Sequence, residues 1–102
     1  MKKIVYVCHR FTGDPAGNVE RVRRIAEALK HECVPLVPHL LLPAYVDELT
    51  ERSLALTHCS RLVAAADEVR VFGEPTAGMA IEITEARRLG IPVVFADASS
   101  GG

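Results

Sequence analysis

No charge excess, no long apolar run and no paired cysteine spacing mark this sequence, and each lack removes a class of function. Twelve basic and thirteen acidic residues leave a formal net charge of -1, with both signs mixed along the chain, so no basic face recommends nucleic acid as a partner. The stretch "HLLLPAYV" is apolar but is broken by Pro43 and is far shorter than the roughly 20 residues a membrane helix needs. The first residues run straight into a strand-like pattern, which reads as mature chain rather than as a secretory leader. Cys8, Cys33 and Cys59 are odd in number, widely spaced and without a C-x-x-C pattern, so they read as free thiols of a cytoplasmic protein, not as disulfides or metal ligands. At 102 residues the chain has room for one modest core and not for two.

What is present is a regular alternation of strand and helix. "KIVYVCH", Lys3 to His9, is β-branched and apolar with almost no alternation, the pattern of a strand covered on both faces. The loop "RFTGDPAGN" follows, with Asn18 as the expected N-cap of a helix that repeats Val22, Ile25, Ala26 and Leu29 on one face. "CVPLVP", Cys33 to Pro38, reads as a second strand whose prolines suit a sheet edge. A loop through "HLLLP" then leads to a long helical stretch, roughly Val46 to Ala66, unevenly phased and with a break expected near Ser53. "EVRVF" (Glu68 to Phe72) and "PVVFA" (Pro92 to Ala96) are strands three and four, and Ala77 to Leu89 is a helix ended by Gly90. Residues 1–97 form the expected domain and 98–102 a flexible tail.

This alternation predicts an α/β three-layer sandwich, Rossmann- or flavodoxin-like, around a parallel sheet of four strands. Right-handed crossovers and a central first strand give the order 2-1-3-4. The direction of winding reverses between strands one and three, and ligands of such folds bind at that point, beyond the strand C-termini. The loops there are "HRFTGDPAGN" and "GEPTAGM", the most glycine-rich segments before the tail.

Projected on a helix, Met79, Ile83, Ala86 and Leu89 share one arc, with Glu82 at its edge and Glu85 and Arg88 outside it. Glu82 is therefore expected to be partly shielded from water, its carboxylate leaning back toward Thr76 and Gly78. The start of this helix offers unpaired N–H groups suited to a phosphate or an oxyanion, and Gly78 permits close approach of a ligand to the backbone. A glutamate so placed also serves simply as a favourable charge in an early helical turn.

The pattern T-x-G-x-x-x-E at Thr76, Gly78 and Glu82, preceded by "AADEVRVFG" and followed by "A-x-x-L-G-I-P-V", resembles the core signature of the nucleoside 2-deoxyribosyltransferase-like superfamily. That group includes 2'-deoxynucleoside 5'-phosphate N-hydrolases and many small bacterial and phage proteins; "VYVCHRFTGD", "PHLLLP" and "GMAIEI" are similar to the latter branch. The resemblance implies that Glu82 is the nucleophile at the anomeric carbon of a 2-deoxyribosyl group, that Tyr6 lies beside it, and that Thr76 and Gly78 contact the sugar or its 5'-phosphate. A buried strand tyrosine needs a hydrogen-bond partner in any case. Met79 joins the candidate substrate contacts. The resemblance further implies a homo-oligomer, with Ser99 and Ser100 of the tail as a weaker suggestion for a contribution across the interface.

The departures lie in the first loop and before the third strand. His9 and Arg10 stand where the hydrolases carry a small residue and a serine, narrowing the pocket or supplying a phosphate ligand; Gly13 and Asp14 follow, Asp14 either on a ribose hydroxyl or as a helix cap. The family's acidic residue falls at Cys59 or Ser60, so that acid is missing. Asp67 sits at the far end of the sheet and reads as a turn or cap, while His39 follows the second strand on the ligand side as a possible proton donor. His31 and His58 receive no role. The expected function is cleavage or transfer of the N-glycosidic bond of a 2-deoxynucleoside or its 5'-monophosphate, with no metal and no organic cofactor. A non-catalytic nucleotide-sensing module on the same fold is the alternative.

Overall fold

The computed structural model describes residues 1–96; the expected tail, with Ser99 and Ser100, lies outside them. Four parallel strands, β1 (Ile4–Cys8), β2 (Val34–Leu36), β3 (Glu68–Val71) and β4 (Val93–Phe95), form one sheet in the order β2-β1-β3-β4. Register pairs Tyr6 with Leu36 on one side and with Val69 on the other. Val5, Tyr6, Val7 and Cys8 are wholly buried, as the non-alternating apolar run requires of a central strand covered on both faces.

The two faces carry separate cores. Helix α1 (Pro15–Leu29) sets Val22 and Leu29 against Val5 and Val7. On the other face, α3 (Arg52–Ala64) and α4 (Ala77–Arg88) pack Val63, Met79, Ile83 and Ala86 against Tyr6, Cys8, Val69 and Val71. Among the described residues no helix is long and apolar enough to cross a membrane, and Cys8, Cys33 and Cys59 are free thiols.

Three local expectations are corrected. Asp14, not Asn18, caps α1: its carboxylate accepts from the Gly17 N–H at 3.2 Å, and Pro15 occupies the first helical turn, where a missing N–H costs nothing. "HLLLP" is not a loop but a short helix α2 (Pro38–Leu41) running into a 3₁₀ turn (Leu42–Ala44), each opened by a proline. The long helix beginning near Val46 starts only at Arg52, because the Asp47 carboxylate accepts from the Leu49 and Thr50 N–H groups and holds that segment in a turn. Leu89 also leaves the buried arc of α4 and is half exposed, while Gly90 takes the left-handed conformation, φ 75°, that ends the helix.

Candidate functional site

A cavity opens at the C-terminal ends of β1, β2 and β3, where the winding reverses. One wall is the loop after β1, with His9, Phe11 and Thr12; a second is α2 and its continuation, with Pro38, His39 and Leu42; the turn before α3 and α3 itself add Glu48, Arg52 and Cys59; the start of α4 closes it with Thr76, Gly78, Met79 and Glu82.

Glu82 sits on the inner face of α4 and is 8% exposed. The phenol of Tyr6, projecting from β1 toward α4, donates a hydrogen bond to Glu82 Oε2 at 3.0 Å. Burial raises the Glu82 carboxyl to about 7, against the opposing pull of the Tyr6 bond and with a small push from the Glu48 charge. Burial likewise raises the Tyr6 phenol well above its ordinary range, the Glu82 charge adding to the effect, so this hydroxyl is a fixed donor and not a base. Cys59 faces the same pair; burial pushes its thiol up to about 11, which keeps it protonated.

The head of α4 is built by reciprocal capping. Thr76 Oγ1 accepts from the Met79 N–H at 3.3 Å, and the Thr76 N–H is directed at Met79 Sδ at 3.4 Å. Met79 is thus spent on closing the helix start and filling the core as well as on the cavity wall. A Cβ added at Gly78 would meet Arg52 Nη2 at 3.5 Å, so the Arg52 guanidinium lies over the first turn of α4. Arg52 also pairs with Glu48 one turn earlier in the chain.

Of the first-loop candidates only His9 reaches the cavity wall. Arg10 is exposed, and its carbonyl oxygen contacts His9 Nδ1 at 2.8 Å and accepts from His39 Nε2 at 3.1 Å. Gly13, at φ 98°, makes the turn before α1, a backbone conformation that side chains other than glycine adopt with strain. Asp14 is engaged as the cap and with Arg21 at 3.5 Å. These three residues shape the loop and do not line the cavity. The buried amide of Asn18 ties the same loop down, donating to the carbonyls of Phe11 and Thr12 at 3.0 and 3.3 Å.

His39 is 9% exposed and sits against the rings of His9 and Phe11, at centroid distances of 6.0 and 5.4 Å. Burial and the neighbouring His9 lower it to about 4, outweighing the carbonyls of Arg10 and His9. It is neutral at physiological pH, which corrects its reading as a proton donor. Asp67 stays at the far end of the sheet, its carboxylate accepting from the Ile4 N–H at 2.7 Å. Among the described residues no three His, Cys, Asp or Glu side chains gather as a metal site.

Glu48 and Arg52 were not legible in the sequence as cavity residues, because a Glu and an Arg four apart look the same on any solvated helix. Of the two positions to which the resemblance assigns a missing acid, Cys59 lines the cavity and Ser60 does not. A carboxylate is present all the same, supplied by Glu48 from a different segment.

Residues 3–96 match a family model described as a domain of unknown function, DUF7768. No curated protein matches the sequence. Among solved structures, the chain is similar to a 2-deoxyribosyltransferase from Bacillus psychrosaccharolyticus, described as a biocatalyst for the synthesis of antiviral and antitumoral nucleosides. The TM-score is 0.66 at 16% identity, over 90% of this chain and 70% of that one. At this identity the likeness shows a shared fold.

Proposed function

The chain belongs to the DUF7768 family, and from its cavity we propose that it binds a 2-deoxynucleoside or its 5'-monophosphate and cleaves or transfers the N-glycosidic bond. The observation that carries this reading is the buried Glu82 carboxylate held by Tyr6 in the wall of the cavity. The shared fold with a 2-deoxyribosyltransferase supports it.

In this mechanism a Glu82 oxygen attacks the anomeric carbon as the bond to the base nitrogen breaks, the bonding pair leaving with the base, which takes up a proton. Water, giving up a proton to the carboxylate it releases or to solvent, or a second base then attacks the same carbon, so two displacements retain configuration. Tyr6 orients Glu82 and holds down its proton affinity; a carboxyl near 7 is ionised in a useful fraction of molecules at neutral pH and remains nucleophilic in a desolvated site. Arg52 over the first turn of α4 adds a cation where a 5'-phosphate would meet the Gly78 backbone. The protein acts in the cytoplasm as a homo-oligomer, with no nucleic-acid partner and no cofactor.

A second reading, a nucleotide-sensing module without turnover, draws support from one observation. Glu48 is tied to Arg52 and His39 is neutral, which leaves the leaving base without an obvious proton donor. Purified protein incubated with the four deoxynucleosides, their 5'-monophosphates and ribonucleotide controls, with free base followed by chromatography, decides between them. Release of base from a deoxy substrate, lost in Glu82→Gln, supports the enzyme; no release together with a ligand-induced thermal shift supports the sensor.

A further inference from the structure

His39 holds one of its ring nitrogens in a settled bond and leaves the other without a partner. Nε2 lies 3.1 Å from the Arg10 carbonyl oxygen, and a carbonyl only accepts, so Nε2 carries the ring proton. In a neutral imidazole the other nitrogen, Nδ1, is then a bare lone pair. Nδ1 is buried and is the one buried side-chain nitrogen or oxygen without a hydrogen-bond partner among the described residues. The ring is 9% exposed, is boxed by His9 and Phe11, and forms part of the cavity wall. A buried acceptor left unpaired costs free energy that a protein recovers when a ligand supplies the donor.

We infer that His39 Nδ1 is a fixed hydrogen-bond acceptor for the ligand, selecting molecules that present an N–H or O–H donor at this end of the cavity. The tautomer is imposed from outside the ligand, by a backbone carbonyl of the loop that follows the adjacent strand, so the preference is built before binding. A group that offers only a lone pair there meets lone pair against lone pair and is rejected. The identity of the ligand as a nucleoside rests on the reading above; the polarity of the acceptor does not. Within a nucleoside the donor is an amino or ring N–H group of the base or a hydroxyl of the sugar.

Two measurements test this. Nitrogen NMR on the full protein labelled at histidine reads the tautomer directly: Nε2 protonated and Nδ1 bare at pH 7 is expected, and a protonated Nδ1 overturns the inference. Calorimetry then compares 2'-deoxyadenosine with purine 2'-deoxyriboside, which lacks the amino group, with 2',3'-dideoxyadenosine, which lacks the 3'-hydroxyl, and with 2',5'-dideoxyadenosine, which lacks the 5'-hydroxyl. Loss of the paired donor should weaken binding by about tenfold, and which analogue suffers identifies the source. In His39→Phe that difference should vanish, and in His39→Asn, which keeps an acceptor and guards against a merely misfolded variant, it should persist in part. Equal affinity of wild-type protein for all four compounds overturns the inference. If none of them binds, adenine nucleosides are excluded as ligands, and the NMR result alone retains or overturns the acceptor.

Discussion

Tyr6 and Glu82, 76 residues apart in the chain, meet through a 3.0 Å hydrogen bond between the central strand and the helix that covers it. Because the bond joins β1 to α4 beneath the cavity, any change in it reaches both the core and the site.

Replacing Glu82 by Gln should abolish base release while the fold survives, since Gln keeps an oxygen that can accept from Tyr6. The same variant should be the more stable protein at pH 8. Glu82 titrates near 7 in the fold against about 4.5 in the unfolded chain. Between these values the native state holds a proton that the unfolded state gives up, so stability falls as pH rises from about 4.5 and levels off above about 7, by an amount of order 3 kcal/mol. Thermal melts of both proteins at pH 4.5 and pH 8 check this; a gap that does not widen at the higher pH contradicts it.

Tyr6→Phe removes the hydrogen bond that lowers the Glu82 pKa. The rising limb of the pH–rate profile, which reports ionisation of Glu82 near 7, should move to higher pH, and the rate at pH 7 should fall by roughly fivefold. A profile that drops in height without moving would mean that Tyr6 only packs.

Arg52→Ala leaves Glu48 unpaired at the cavity and uncovers the first turn of α4. Affinity for a 5'-monophosphate should fall by about tenfold while that for the nucleoside changes little, measured by titration calorimetry on both. Equal losses on the two ligands would argue against a phosphate contact.

Asn18→Ala strips the first loop of two carbonyl partners, those of Phe11 and Thr12, both of which line the cavity. The loss of these buried bonds should cost about 1–3 kcal/mol, a fall of roughly 5–15 °C in melting temperature, and ligand affinity should weaken with it. Calorimetric melting with and without ligand separates the two effects.

Alternation of strand and helix, the central position of "IVYVC" and the order of the sheet were all legible in the sequence, because burial on both faces and right-handed crossover leave a short chain little choice. So was the shielded position of Glu82 beside the switch point, from helical phase together with the strand order. Which groups share the cavity was decided by tertiary structure. Asp14 rather than Asn18 begins α1 because Pro15 pre-sets the first turn, and Asp47 holds the turn that carries Glu48 and Arg52 to the cavity mouth. The proton position on His39 depends on a carbonyl 29 residues away. Local pattern reports what one segment prefers; the partner of a buried polar atom is a fact about another segment, and only the folded chain brings the two together.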